Sequence, residues 1–428
     1  MRYFRVLTGS VLILVCAAAQ TADETKARVR AARDLAKEGS SAIPKLQAML
    51  TDRAVEVRTE AVKSIVEIDT PSSVPPLVQA TRDNDVEVQI RAADGLVNAY
   101  LPGYVQHGLS ASLHRVGNVF KARFTDTNDQ MIDAYVRVAP EAIEALGKLA
   151  RGGASMESRA NAARAIGVLR GRAALPDLIE ALRSKDDQVI YESLNAIQKI
   201  RDPEAAPRIS FLLRDLNEKV QIAAIETTGL LRNRDALPAL RNVLSDSRST
   251  KVRRAALIAI AMLPDEGSRP LYQKYLGDKD DGLRAAAAEG FGRLKNKADL
   301  PLIEKAYAGE QKRTAQLSGA FALVLLGKTE TGSLTPLQFL IDSLNSAAWR
   351  GVARAFLVEL AREAPVRHSL EQALRQGTKS EKIELAQILA ISGDKETVPF
   401  LDALSHDSDT EVAQAGLNAS RSLKARLP

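Results

Sequence analysis

Two stretches decide the fold. From Leu175 to Asp202 the chain reads LPDLIEALRSKDDQVIYESLNAIQKIRD, and from Leu237 to Leu263 it reads LPALRNVLSDSRSTKVRRAALIAIAML. Each opens on a proline that lacks an N–H and therefore starts a helix cheaply, because the first turn leaves that donor unsatisfied anyway. Apolar residues follow at helical spacing, as in Leu237, Leu240 and Leu244, which marks one buried stripe. A polar turn then supplies an N-cap, and a second stripe begins, here Val252, Ala256, Ala259 and Leu263. A unit of two short helices cannot bury its own stripes, so copies must stack.

The prolines measure the period. Pro176, Pro207, Pro238, Pro270 and Pro301 stand 31, 31, 32 and 31 residues apart, and Pro44 and Pro76 stand 32 apart. Pro76 to Pro140 and Pro336 to Pro399 are 64 and 63, two periods each. Stripes recur with the prolines, as in Ile43, Leu46, Leu50 and in Leu300, Ile303, Tyr307, and a last copy runs from Val398 as VPFLDALSHDSDTEVAQAGLNASRSL. The fold class is therefore all-α: an α-solenoid, a superhelical stack of roughly eleven antiparallel helix pairs.

Composition agrees with small repeated contacts. The 428 residues are 45% hydrophobic but only 4% aromatic, so Ala, Leu, Val and Ile build the interior. Ala285 to Ala288 with Gly290 and Gly292 predict closely approaching second helices. Mixed charge, 59 basic against 53 acidic residues, and the apolar fraction exclude a disordered chain. A single Cys excludes a disulfide framework.

These repeats resemble HEAT repeats of the short bacterial type, the kind grouped with phycobilisome-lyase repeats. The resemblance rests on the Pro-x-Leu opening, the Asp-containing turn and a Val-Arg-x-x-Ala second-helix start: Val57-Arg58 with Ala61, Val252-Arg253 with Ala256, and Leu283-Arg284 with Ala287. It covers about residues 40–428, and Tyr191 and Ala413 depart from it where an Arg is expected. In such repeats the Arg is expected to pair with the turn Asp of its own or the next unit.

Residues 1–19, MRYFRVLTGSVLILVCAAA, read as a signal peptide: Arg2 and Arg5, an apolar run from Val6 to Val15, and a small-residue cleavage site before Gln20. The run is too short for a permanent membrane span, and no later apolar run escapes charge. Lipidation at Cys16 is the lesser reading, since Val15 stands where such signals take a small residue. The expected product is an exported, periplasmic or secreted protein with a capping helix at 20–41 and the solenoid at 42–428.

Functional signals are thin. The four His (His107, His114, His368, His406) include no His-Glu dipeptide, which the HEAT-repeat deoxyhypusine hydroxylases use for their di-iron centre. No HExxH, Gly-x-Ser-x-Gly or phosphate-binding loop occurs. Asp126 to Gln130 begins like a calcium loop, but Met131 replaces its Gly and Arg137 its closing Glu. No metal, no cofactor and no catalytic residue is expected. The chain reads as a non-enzymatic scaffold for a protein partner.

Two regions stand out for partner contact. The irregular stretch 100–139 holds five aromatics, and Tyr104, His107, Arg115, Phe120, Lys121, Arg123 and Phe124 are its candidate contacts. It is a divergent repeat or an insertion, and its aromatics equally suit packing of an irregular core. Seven basic residues from Arg232 to Arg254 face only Asp235 and Asp246, which adds Arg248, Arg253 and Arg254. That cluster lacks interleaved aromatics, so nucleic acid is not expected. A solvated face accounts for it, or an anionic partner such as an envelope polymer. The other reading, implied by the resemblance, is a lyase or cofactor-handling helper similar to the phycobilin lyases.

Overall fold

The computed structural model describes residues 22–105 and 130–427, and helices with short 3-10 turns are the regular structure there, with no strand among the described residues. The helices stack as an all-α solenoid divided into two compact units. Described residues up to Ile132 join Arg137–Ala205 in the first, and Asp133–Val136 join the residues from Ala206 in the second. Residues 1–21, which hold the expected leader and Cys16, lie outside the described residues.

Unit 1 begins with α1 (22–35) and continues through α2 (Ile43–Met49) and α3 (Val55–Ile68), then α4 (Val74–Ala80) and α5 (Val86–Asn98). After the break come α6 (Pro140–Gly152) and α7 (Met156–Val168), then α8 (Leu175–Ala181) and α9 (Asp187–Ile200). Unit 2 holds α10 (Glu218–Leu230), α11 (Leu237–Asp246), α12 (Thr250–Ala261), α13 (Arg269–Tyr275) and α14 (Asp281–Leu294). It ends with α15 (Leu300–Gly309), α16 (Arg313–Leu325), α17 (Pro336–Asp342), α18 (Arg350–Leu360), α19 (Ala364–Gln376), α20 (Lys379–Ser392), α21 (Val398–Leu404) and α22 (Thr410–Arg426).

Local rules account for most boundaries. A proline occupies one of the first two positions of α2, α4, α8, α11, α13, α15, α17 and α21. Turn residues cap the second helices: the side chains of Asp85, Asp186, Asn217, Asp280 and Asp409 accept from backbone N–H groups of the following turn. Each such cap is worth about 1 kcal/mol. Pro207 breaks the expectation, because Pro203 and Pro207 fall in one 3-10 segment, Pro203–Arg208. The 3-10 turn Ser210–Arg214 then packs against α10 where a first helix is expected. A proline past the first turn removes a helical hydrogen bond and clashes with the preceding turn.

Core composition follows the stripes. Ile43, Leu46, Leu50, Leu240, Leu244, Ile303, Val252, Ala256, Ala259 and Leu263 are buried, whereas Leu237, Leu300 and Tyr307 are only partly so. Second helices cross with glycine against alanine. A Cβ built on Gly167 would stand 2.9 Å from the Cα of Ala196, one on Gly229 2.9 Å from that of Ala259, and one on Gly292 2.6 Å from that of Ala322. Carbon atoms prefer about 3.5–4.0 Å, so these positions exclude any side chain.

The break at 100–139 falls between α5 and α6. Although two periods separate Pro76 from Pro140, α5 packs directly on α7. Asn161 on α7 donates to the Ile90 carbonyl and to Asp94 of α5, and Gln89 accepts from the Ala154 N–H. No helix pair stands between these neighbours among the described residues.

Candidate functional site

The second-helix face of unit 1 carries a desolvated polar cluster. Its frame is an ion pair between Arg164 of α7 and Glu192 of α9, at 2.7 Å. Gln188 donates to the same Glu192 oxygen at 2.8 Å, and Asn161 donates to Asp94 at 3.0 Å. Glu192 is 4% exposed and Asn161 8%. The Arg164 Nε–H is buried and makes no hydrogen bond among the described residues.

Comparable pairs recur along the stacks, Arg33 with Glu60 and Arg354 with Glu384, at 2.7 and 2.5 Å. An Arg–Glu rung is thus part of the scaffold. Tyr104 makes the Arg164 rung different, because its half-buried side chain lies in the field of Asp94, Arg164 and Glu192. Burial first, then Asp94 and Glu192, push the Tyr104 hydroxyl well above the ordinary phenol range, against the opposing pull of Arg164. It stays protonated at neutral pH and is a hydrogen-bond donor or general acid, never a base there. For Arg164 burial opposes the charge, but Glu192, Tyr104 and Asp94 outweigh it and hold the proton more firmly than usual. The cluster therefore presents a fixed cation, a buried N–H and a neutral hydroxyl.

Of the candidates read from the sequence, the structure brings Tyr104 into this cluster. His107, Arg115, Phe120, Lys121, Arg123 and Phe124 lie outside the described residues, as do His114 and residues 126–129 of the calcium-like loop. Tyr100 has a scaffold role, its hydroxyl accepting from the Ala139 N–H.

Arg248, Arg253 and Arg254 belong to unit 2. Arg248 is exposed and makes no hydrogen bond or ion pair among the described residues. Arg253 lies over the Tyr275 ring and donates to its hydroxyl at 3.4 Å. Arg254 grips both carboxylate oxygens of Asp280 at 2.7 Å. Neighbouring charges are also paired, Arg241 with Asp265 and Lys251 with Glu218. Three of the seven basic residues from Arg232 to Arg254 are thus paired with carboxylates outside that stretch.

The repeat Arg pairs with an acidic residue of the next repeat at two of three positions, with the expected Asp at one and a Glu at the other. Arg58 holds Asp83 of the next repeat by two bonds of 2.6 and 2.8 Å, and Arg284 holds Glu310 by bonds of 2.7 and 2.9 Å. At the third, Tyr275 takes the slot and Arg253 bonds it instead.

Sequence reasoning missed Arg164 and Glu192, and also a buried network in unit 2. There Arg293 bonds Glu289 at 2.8 Å and both oxygens of Glu359 at 2.9 Å, with its guanidinium over Phe321. The signal was present: Glu289 interrupts an Ala-rich run four residues before Arg293.

Comparison with known proteins decides the family. A family model described as HEAT repeats matches residues 14–97, 143–210, 206–265 and 237–324, more than half of the chain. The chain belongs to the HEAT-repeat family. A curated relative, phycocyanobilin lyase subunit alpha of Picosynechococcus sp., is 29% identical over 204 residues, 44% of this chain and 75% of that protein. Among solved structures, the complex of CpcE and CpcF of phycocyanin lyase from Nostoc sp. PCC7120 is 20% identical, with a TM-score of 0.37 over 60% of this chain and 89% of that one. Importin beta is 12% identical, with a TM-score of 0.39 over 90% of this chain and 57% of that one. The lyase relative corrects one expectation. The chain read as non-enzymatic because it lacks known catalytic motifs, but likeness to a lyase subunit points to lyase-type chemistry. Such motifs report metal, nucleophile and phosphate chemistry only.

Proposed function

We propose that this HEAT-repeat chain is an exported lyase-type subunit, which holds a partner protein on its repeats and handles a ligand at the Tyr104–Arg164 cluster. The observation that carries this reading is the match to three quarters of phycocyanobilin lyase subunit alpha, whose name points to a bilin ligand. The chemistry of the cluster supports it. A bilin brings carboxylates and ring carbonyls; Arg164 supplies a cation, and Tyr104 a neutral donor whose proton can be lent to a carbonyl as charge develops on it. Glu192 and Gln188 keep the guanidinium in place, and Asn161 fixes Asp94.

Protein engagement follows from the architecture, since stacked repeats present a broad surface and bind through area. Export rests on the leader-like sequence of 1–19, and N-terminal sequencing of the mature protein should begin at Gln20. Titration of purified chain with phycocyanobilin tests the ligand class. The reading expects a saturable change in the visible spectrum at micromolar protein. A spectrum that remains the sum of its components throughout would sink it.

A further inference from the structure

A second charged surface lies on unit 2, at the ends of its second helices. Arg232 and Lys295 stand 63 residues apart, two periods, and both adopt left-handed backbone with φ of 55°. Glycine is the usual occupant of that position, and Gly327 takes it one period further on with φ of 118°. A side chain there costs about 1–2 kcal/mol. The chain bears that cost at both of these helix ends, each time for an exposed cation, and a third time in this unit at the exposed Leu334.

The surrounding charges are unequal. Lys295 pairs with Glu363 at 2.5 Å, and Arg293 beneath it grips Glu359. Arg232 and Arg362 are exposed, and their guanidinium groups make no hydrogen bond or ion pair among the described residues. Both still act on Glu359: burial opposes its charge, but bonds from Arg293 and the fields of Arg293, Arg232 and Arg362 hold the carboxyl below its ordinary range. Arg426 feels the same excess. Burial first, and then repulsion from Arg362, loosen its proton. One edge therefore holds four arginines and a lysine against Glu289, Glu359 and Glu363.

We propose that this edge of unit 2 docks an acidic segment of a partner protein, whose carboxylates seat on Arg232 and Arg362 and compete with Glu363 for Lys295. A carboxylate is favoured over other anions because the anion already held here is a side-chain carboxylate, gripped by a guanidinium fork in two-bond geometry. Exposed Lys295 and Glu363, each about half accessible, can exchange partners without unpacking the core. The surface is separate from the Tyr104 cluster in unit 1 and does not depend on the ligand proposed there.

The test is fluorescence anisotropy with a labelled deca-glutamate peptide and the full chain at low ionic strength. Saturable binding that weakens steeply with salt is expected. Replacing two exposed partners, R232A with R362A, should weaken it about tenfold, at up to about threefold to fivefold for each exposed pair. E363Q should tighten it about two- to fivefold by freeing Lys295. Thermal melting should fall only slightly in R232A/R362A, since neither guanidinium makes a bond among the described residues and only their fields on Glu359 are lost. Y104F should bind the peptide as the wild type does, which separates this site from the unit 1 reading. Absence of saturable binding, or a double variant that binds normally, overturns the proposal. Tight binding of polyphosphate without binding of deca-glutamate overturns it too, in favour of an anionic polymer.

Discussion

Gly292 separates packing from helix propensity cleanly. Alanine in a helix is ordinarily about 1 kcal/mol better than glycine. At Gly292 the added Cβ would lie 2.6 Å from the Cα of Ala322, about 1 Å inside ordinary contact. The obstruction is backbone of a residue with no exposure, so α14 and α16 must move apart instead of a side chain turning aside. Overpacking of this kind costs about 2–3 kcal/mol, near the upper end of the usual range. Set against the propensity gain, G292A should lose about 1–2 kcal/mol. For a unit of this size that lowers the melting temperature by ~2–8 °C. The control is G351A on α18, where a Cβ meets nothing within 4 Å; it should be neutral or slightly stabilising. Removing the Ala322 side chain should restore little in G292A/A322G, because the blocking atom is Cα. Thermal unfolding followed by circular dichroism reads all four proteins. A G292A melt at or above the wild-type temperature would refute the close-crossing account.

Other substitutions probe other parts. D83N should destabilise unit 1 by about 3 kcal/mol, since the Arg58 and Asp83 side chains are 11% and 8% exposed and Arg58 would keep its charge without its partner; urea unfolding measures it. Acid should weaken unit 2 through Glu359. A carboxyl depressed in the folded state stabilises above its unfolded value and loses that contribution as pH falls through the folded one. Melting curves between neutral pH and about pH 3 should therefore fall less steeply for E359Q than for wild type. Tyr104 should ionise later than exposed tyrosines, so the tyrosinate absorbance lost in Y104F should appear at the alkaline end of a wild-type titration.

The repeat was legible because each part of it obeys a local rule. Proline starts, polar caps and three-to-four spacing lie within one period, and the buried stripes at Ile43, Leu46, Leu50 and at Val252 to Leu263 follow directly. The small residues of the second helices likewise foretold close crossings, found at Gly167, Gly229 and Gly292. What the sequence hid depends on distance along the chain. Arg293 meets Glu359 66 residues away, two repeats on, and a period reports only neighbours. Arg253 and Arg254 are adjacent, and only the placement of Tyr275 decides which of them takes Asp280. The irregularity at 100–139 was visible as a missing proline. That α5 and α7 close over the gap required the fold. Tyr104 was chosen as one aromatic among several, with nothing in the sequence to place it beside a buried Arg–Glu rung.

The central claim is that Tyr104 and Arg164 mark the place where this HEAT-repeat chain handles its ligand, beyond their part in an ordinary rung. Its most direct test is the bilin absorbance titration on three proteins of matched thermal stability: wild type, Y104F and R164K. Loss of one hydrogen bond to a charged or polarised group costs about 1.5–3 kcal/mol, so each variant should bind roughly ten- to a hundredfold more weakly. Wild-type affinity in both variants would contradict the account.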